Sequence, residues 1–260
     1  MISKYNPRMD AFICIAAALS DELAGIKQRM ALRRRRVWGP VTVFEGEWQN
    51  YGVLLVRTGI GRQRALDAVR RVLDHYTVVL LLSVGYAGGT DPEVKLGDLV
   101  LADRVLRREP EASPPWRTLP LDPALVNQAM LLSCPDEATL HRGGLLTLDA
   151  VVTDPAEKAA LGREFQVAAV DMETFDLVDH ARRNNLPVLS VRAISDTVDQ
   201  RLADLTHLLK ESGEPDLLKA GWHVLTHPGD LKQALSLRAQ TRLATDHLTR
   251  FLADYLRYLK

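Results

Sequence analysis

The chain has little of what usually announces a function. Its two cysteines, Cys14 and Cys134, sit in unrelated contexts with no paired spacing. A disulfide framework or a zinc site is therefore not expected, and a reducing cytoplasm is the expected compartment. Neither sign of charge is in excess: 33 Lys and Arg stand against 33 Asp and Glu. No basic field points to nucleic acid, and no acidic tail points to disorder. Nothing approaches the roughly 20 apolar residues of a membrane span. The apolar run "AFICIAAAL" leads straight into Ser20-Asp21-Glu22 and reads as a buried strand rather than a secretion signal. The seven histidines lie at no metal-ligand spacing, so no metal is expected. The run Arg33 to Arg36 reads as a solvated surface.

Strand and helix patterns alternate along most of the remainder. "AFICIAAA", "VTVFEGEW", "YGVLLVRTG", "TVVLLLSVG", "DLVLADRVL", "GGLLTLDAVV" and the run Val188 to Ile194 read as strands. Helices are expected after Ser20 and Asp21, over "GRQRALDAVRRVLDHY" and "LDPALVNQAMLL", from Asp154-Pro155 to Phe165, and beyond Glu173. The stretch from Glu109 to Pro123, with five prolines, reads as a loop. From about Leu202 the chain turns helical, and Ala244, Leu248, Phe251, Leu252, Tyr255 and Leu259 form one apolar stripe. The expected architecture is a single domain over residues 1–260, a three-layer α/β/α sandwich with a central mixed sheet. Its last part, about 202–260, is a helical extension.

Chemistry gathers at glycine turns and at acids that end strands. "TGIGRQRA" and "SVGYAGGTDP" follow strands, where Gly85, Gly88 and Gly89 let a ligand approach the backbone. A dinucleotide fingerprint is not completed, because Arg64 stands where its last glycine belongs. Asp171 and Glu173 bracket Met172 at the mouth of a helix, and Asp196 ends a strand apolar enough to be buried. A carboxyl in that setting can be desolvated into holding a proton near neutral pH.

Taken in order, "AALSDE", "TGIG", "GYAGGTDPEVKLGDLVLAD", "VDMET" and "LSVRAISDT" resemble the signature segments of the purine nucleoside phosphorylase and nucleosidase superfamily. The nearest pattern is that of the 5'-methylthioadenosine/S-adenosylhomocysteine nucleosidases. The tail "GEPDLLKAGWHVLTHPGDLKQALSL" also resembles hopanoid-associated phosphorylases.

The resemblance implies a small-molecule purine nucleoside as substrate, no cofactor, and a homo-oligomer, dimer or trimer. Asp196 would be the acid that protonates the leaving base, supported by Ser195. Glu173 would accept hydrogen bonds from the ribose hydroxyls, with Met172 against the sugar. Glu22 would activate water, helped by Thr58 and Arg192. Backbone at Val152, Ala87 and Gly88 would meet the base and ligand. The sequence departs from the pattern where Val151 stands in place of a stacking phenylalanine and Tyr86 in place of a small hydroxyl residue. Two acids in the loop Ala17 to Glu22 repel phosphate and favour hydrolysis. Gly59, Gly61, Arg62 and Arg192 could still form a partial anion site, which leaves phosphorolysis, with phosphate as co-substrate, open. A non-catalytic nucleoside-binding protein on the same fold is the remaining alternative.

Overall fold

The computed structural model describes residues 11–109, 113, 115–134, 138–202 and 228–259, with side chains in the last stretch described from residue 239. The chain runs β1 (Phe12–Ala17), α1 (Ser20–Arg29), β2 (Ala31–Trp38), β3 (Val41–Trp48), β4 (Tyr51–Arg57) and α2 (Arg62–His75). It continues through β5 (Val78–Gly89), β6 (Leu99–Arg108), β7 (Trp116–Pro120), α3 (Pro123–Ala129), β8 (Leu140–Thr147) and α4 (Pro155–Phe165). The last elements are β9 (Val167–Asp171), α5 (Thr174–Arg183), β10 (Val188–Asp196) and α6 (Pro228–Tyr258). The central sheet is mixed and flanked by helices, as expected.

β5 lies at its centre, parallel to β1 on one side and to β10 on the other. A strand covered on both faces and both edges has no polar outlet, so Leu80, Leu81 and Leu82 succeed one another without alternation, all buried. Each stabilises the fold by roughly 1.5–3 kcal/mol relative to exposure. From β5 the sheet goes two ways. One arm passes through β1, β4 and β3 to β2. The other closes a ring, because β5 pairs β10, β10 pairs β6, β6 pairs β8, β8 pairs β9, and β9 returns to β5 at Gly88 and Gly89. The apolar stripe of α6 packs as its spacing predicts: Ala244, Leu248, Phe251, Leu252 and Tyr255 are fully buried. Among the described residues no helix is long and apolar enough to cross a membrane.

Several local expectations are corrected. Arg33 to Arg36 are largely exposed, as expected, but they belong to a strand, β2, which pairs with β3, so its cross-strand bonds are not announced by burial. Arg33 meets Glu47 at 2.5 Å, and Arg35 lies over the Phe44 ring. The proline-rich stretch contains β7, antiparallel to β6, since prolines at its margins leave the N–H groups between them free to pair. "SVGYAGG" is the end of β5 rather than a turn, held extended by β10 and β9. "GGLLTLDAVV" is strand only as far as Thr147. The first helix is capped by Leu19 rather than by Ser20 or Asp21. Asp154 caps α4 as expected, accepting from Ala156 and Glu157 N–H. The helix expected from Leu202 is seen from Pro228 onward; residues 203–227, and with them most of the hopanoid-like tail, lie outside the described residues.

Candidate active site

The carboxyl end of β1, the interiors of β5 and β10, the turn after β4 and the first turns of α1 and α5 converge on one small cleft. It is lined by Glu22, Thr58, Gly85, Tyr86, Glu173 and Arg192, with Ala16 to Ala18 as its floor. Four residues singled out from the sequence, Glu22, Thr58, Glu173 and Arg192, thus meet across separate parts of the chain.

Glu22 is buried at the third position of α1. Its Oε2 accepts from Leu19 N–H at 2.7 Å, closing the first turn of its own helix. Its Oε1 accepts from Tyr86 N–H at 2.8 Å. Burial raises its pKa, against the lowering pull of these amides and of Arg192. Gly85 is what lets the carboxylate in, because a Cβ there would stand 2.6 Å from Glu22 Oε1.

Glu173 caps α5, and its Oε1 accepts from Gly61 N–H at 2.8 Å. Gly61 has φ +97°, a left-handed backbone that turns this amide inward. Burial first, then the charge of Asp171, pushes the Glu173 pKa up to about 8. Met172 lies in an adjoining cleft with Ile60, Gly61, Arg62, Arg64 and Asp149.

Arg192 is buried, and each of its three nitrogens has a partner. Nε and a terminal nitrogen meet Asp171 Oδ2 at 3.0 and 2.9 Å. That terminal nitrogen also donates to Ser83 Oγ at 3.1 Å and Thr174 Oγ1 at 2.6 Å, and the other donates to Val191 O at 3.3 Å. Asp171, which the sequence showed only as a strand-ending acid, is the anchor of this cluster. It also accepts from Thr147 Oγ1 at 2.7 Å. Thr58 donates its hydroxyl to backbone carbonyls, Gly59 O at 3.0 Å and Ala17 O at 3.2 Å.

Asp196 lies on neighbouring strand ends and lines neither cleft. It is buried, its Oδ1 accepts from Ser195 Oγ at 2.7 Å, and a Cβ at Gly88 would approach its Oδ2 to 2.9 Å. Ala87 is buried beside it, its carbonyl 3.4 Å from Ser195 Oγ. The expectation of a carboxyl isolated by burial is corrected: the ammonium of Lys158, itself fully buried on α4, donates to Asp196 Oδ2. A lysine on an amphipathic helix reads as a surface residue. Its signal was its register, since Lys158 shares the face of Leu161 and Phe165 three and seven residues on, both packed on a core cluster.

Val152 is buried in that second cluster, with Leu106, Leu146, Val167 and Val170, away from both clefts. Val151 is exposed. Tyr86, the other departure, bonds through its hydroxyl to Thr245 Oγ1 of α6 at 2.5 Å, and its pKa is raised mainly by burial.

The chain is similar in fold to the 5'-methylthioadenosine/S-adenosylhomocysteine nucleosidase of S. pneumoniae at 24% identity, with 96% of this chain and 100% of that one covered and a TM-score of 0.74. The S-adenosylhomocysteine nucleosidase of Streptococcus pyogenes gives a TM-score of 0.77 at 19% identity, covering 97% and 98%. The futalosine hydrolase of Helicobacter pylori gives 0.72 at 17%, covering 95% and 97%. Residues 12–216 match the sequence profile of the phosphorylase superfamily, and the chain belongs to that superfamily.

Proposed function

We propose that this protein cleaves the N-ribosyl bond of a purine nucleoside, hydrolysing a 5'-substituted adenosine to adenine and the free sugar. The observation that carries the reading is the meeting of Glu22, Glu173, Thr58 and Arg192 in one cleft, with Asp196 on the adjoining strand ends. Glu22 takes a proton from water, and the hydroxyl oxygen attacks C1'. Burial makes its carboxylate a stronger base than an exposed one, while the Leu19 and Tyr86 amides fix its orientation. Glu173 accepts hydrogen bonds from the ribose hydroxyls as positive charge grows on the ring. The C1'–N9 electron pair passes to the purine, and Asp196 delivers a proton to N7. Met172 packs against the sugar, Thr58 and Arg192 border the water, and Ser195 orients Asp196. Val152, Ala87 and Gly88 frame the base side through backbone. The names of the fold relatives support an adenosine-type substrate.

Water is favoured over phosphate by the charges present. Arg192 is the cleft's one cation among the described residues, and its nitrogens already serve Asp171, Thr174, Ser83 and Val191. Arg62 leans on Asp149 and Asp176 instead. A phosphate dianion needs several converging donors, which these contacts do not leave. The same reading makes the enzyme a cytoplasmic homo-oligomer of one domain without cofactor, in keeping with two cysteines that are both free. The test is adenine release in phosphate-free buffer and again with added phosphate, with the sugar product identified. Release independent of phosphate is expected; strict dependence, with ribose 1-phosphate as product, would overturn hydrolysis.

A further inference from the structure

The proton that reaches the leaving base needs a source, and the resting contacts of Asp196 describe an acceptor. Oδ1 accepts from Ser195 and Oδ2 from Lys158, an arrangement suited to a carboxylate rather than a carboxylic acid. Lys158 spends its other two donors on backbone carbonyls, Thr197 O at 3.2 Å and Gln200 O at 3.1 Å. It has no exposed surface. An ammonium held this way is a stored proton in contact with the group that would pass it on.

Resting on the reading of the site as N-ribosyl-cleaving, we propose that Lys158 and Asp196 act as one acid, the proton for the purine starting on Lys158 Nζ. Holding two ions away from water is costly, so a shift that turns ammonium and carboxylate into amine and carboxylic acid relieves that cost on both sides. The neutral pair is thereby accessible. In the step, a proton moves from Nζ to an Asp196 oxygen, and Asp196 yields a proton to N7 as the C1'–N9 bond breaks. Lysine is left as the amine and regains a proton from solvent when adenine departs, while Glu22 returns to solvent the proton it took from water. Lys158 does not touch the substrate; it is a positioning residue that also supplies the proton.

Two substitutions separate supply from placement. Lys158→Gln keeps two N–H donors for the three acceptors that Lys158 serves, and Lys158→Arg keeps donors and charge, yet neither side chain has a proton to give at neutral pH. For each, kcat on a 5'-alkylthio-adenosine is measured beside the Kd of a C-nucleoside adenosine analogue that cannot react at C1'. The expected result is a fall in kcat of roughly 10²–10⁴-fold in both variants, with analogue binding within about threefold of the unsubstituted protein. Turnover near that of the unsubstituted protein in either variant, or loss of analogue binding that matches the loss of turnover, would overturn the proposal. Absence of adenine release from the unsubstituted protein would instead sink the underlying reading of the site.

Discussion

The amide of Tyr86 on β5 donates to the carboxylate of Glu22 on α1 at 2.8 Å, so the cleft's innermost acid is held by the central strand as well as by its own helix. The sheet and the first turn of α1 therefore fix together where a base could act.

Glu22→Gln preserves shape while removing the proton acceptor. We expect kcat to fall by roughly 10²–10⁴-fold, with little change in the binding of an unreactive nucleoside analogue. Steady-state kinetics with calorimetry would check this, and normal turnover would take Glu22 out of the mechanism.

Gly85→Ala tests the clasp from the other side. The added methyl would meet Glu22 Oε1 at 2.6 Å, so the carboxylate has to leave the Tyr86 amide. Turnover should drop nearly as far as in Glu22→Gln, although no reacting group is altered. A variant with unchanged kcat would show that the clasp is dispensable.

Glu173 makes stability depend on pH in a stated direction. Its pKa rises from 4.5 to about 8 on folding, so between these values the native state holds a proton that the unfolded chain has lost. Stability contributed by this group is full at low pH and declines as pH rises from about 4.5 through about 8. Glu22, also raised by burial, adds in the same sense. Urea unfolding at pH 5.5 and 8.5 should show the decline, and Glu173→Gln should flatten it. A Glu173→Gln protein with an unchanged slope would assign the effect elsewhere.

Much of the fold was legible because its cause is local. The run Val78 to Leu82 is apolar without alternation, and the stripe of α6 has helical spacing, so each element is written within a few residues. The site was legible as a set of acids at strand ends. What escaped was set by distant partners. β2 has no hydrophobic face to show and exists because β3 pairs with it. Lys158 was hidden because the acid that makes its burial tolerable comes 38 residues later. Asp171 looked like one acid among several until Arg192, Thr147 and Thr174 closed around it.

On the proposed reading of the site, Tyr86 would border the 5' end of the substrate. Partly buried and tied to Thr245 of α6, it links that helix to the cleft it lines. Extended 5'-alkyl adenosines should be preferred to adenosine, each buried methylene adding about 0.8 kcal/mol, or about fourfold in kcat/KM. A homologous series of 5'-alkylthio substrates would reveal the slope; equal kcat/KM across it would end the idea.

The outermost strand of the open arm, β2, carries four consecutive arginines along its exposed length. Were a second copy to add its own β2 in antiparallel register, eight guanidinium groups would be crowded onto one short ribbon, with Glu47 already taken by Arg33. Like charges facing across a strand pair oppose pairing, and charged edges are how sheets avoid growing into fibrils. The sheet's other arm closes on itself, with β7 paired to β6 outside the ring. Self-association through continued strand addition at this edge is thus disfavoured, which guards the β2 side of a protein with so apolar a centre against polymerising through its backbone.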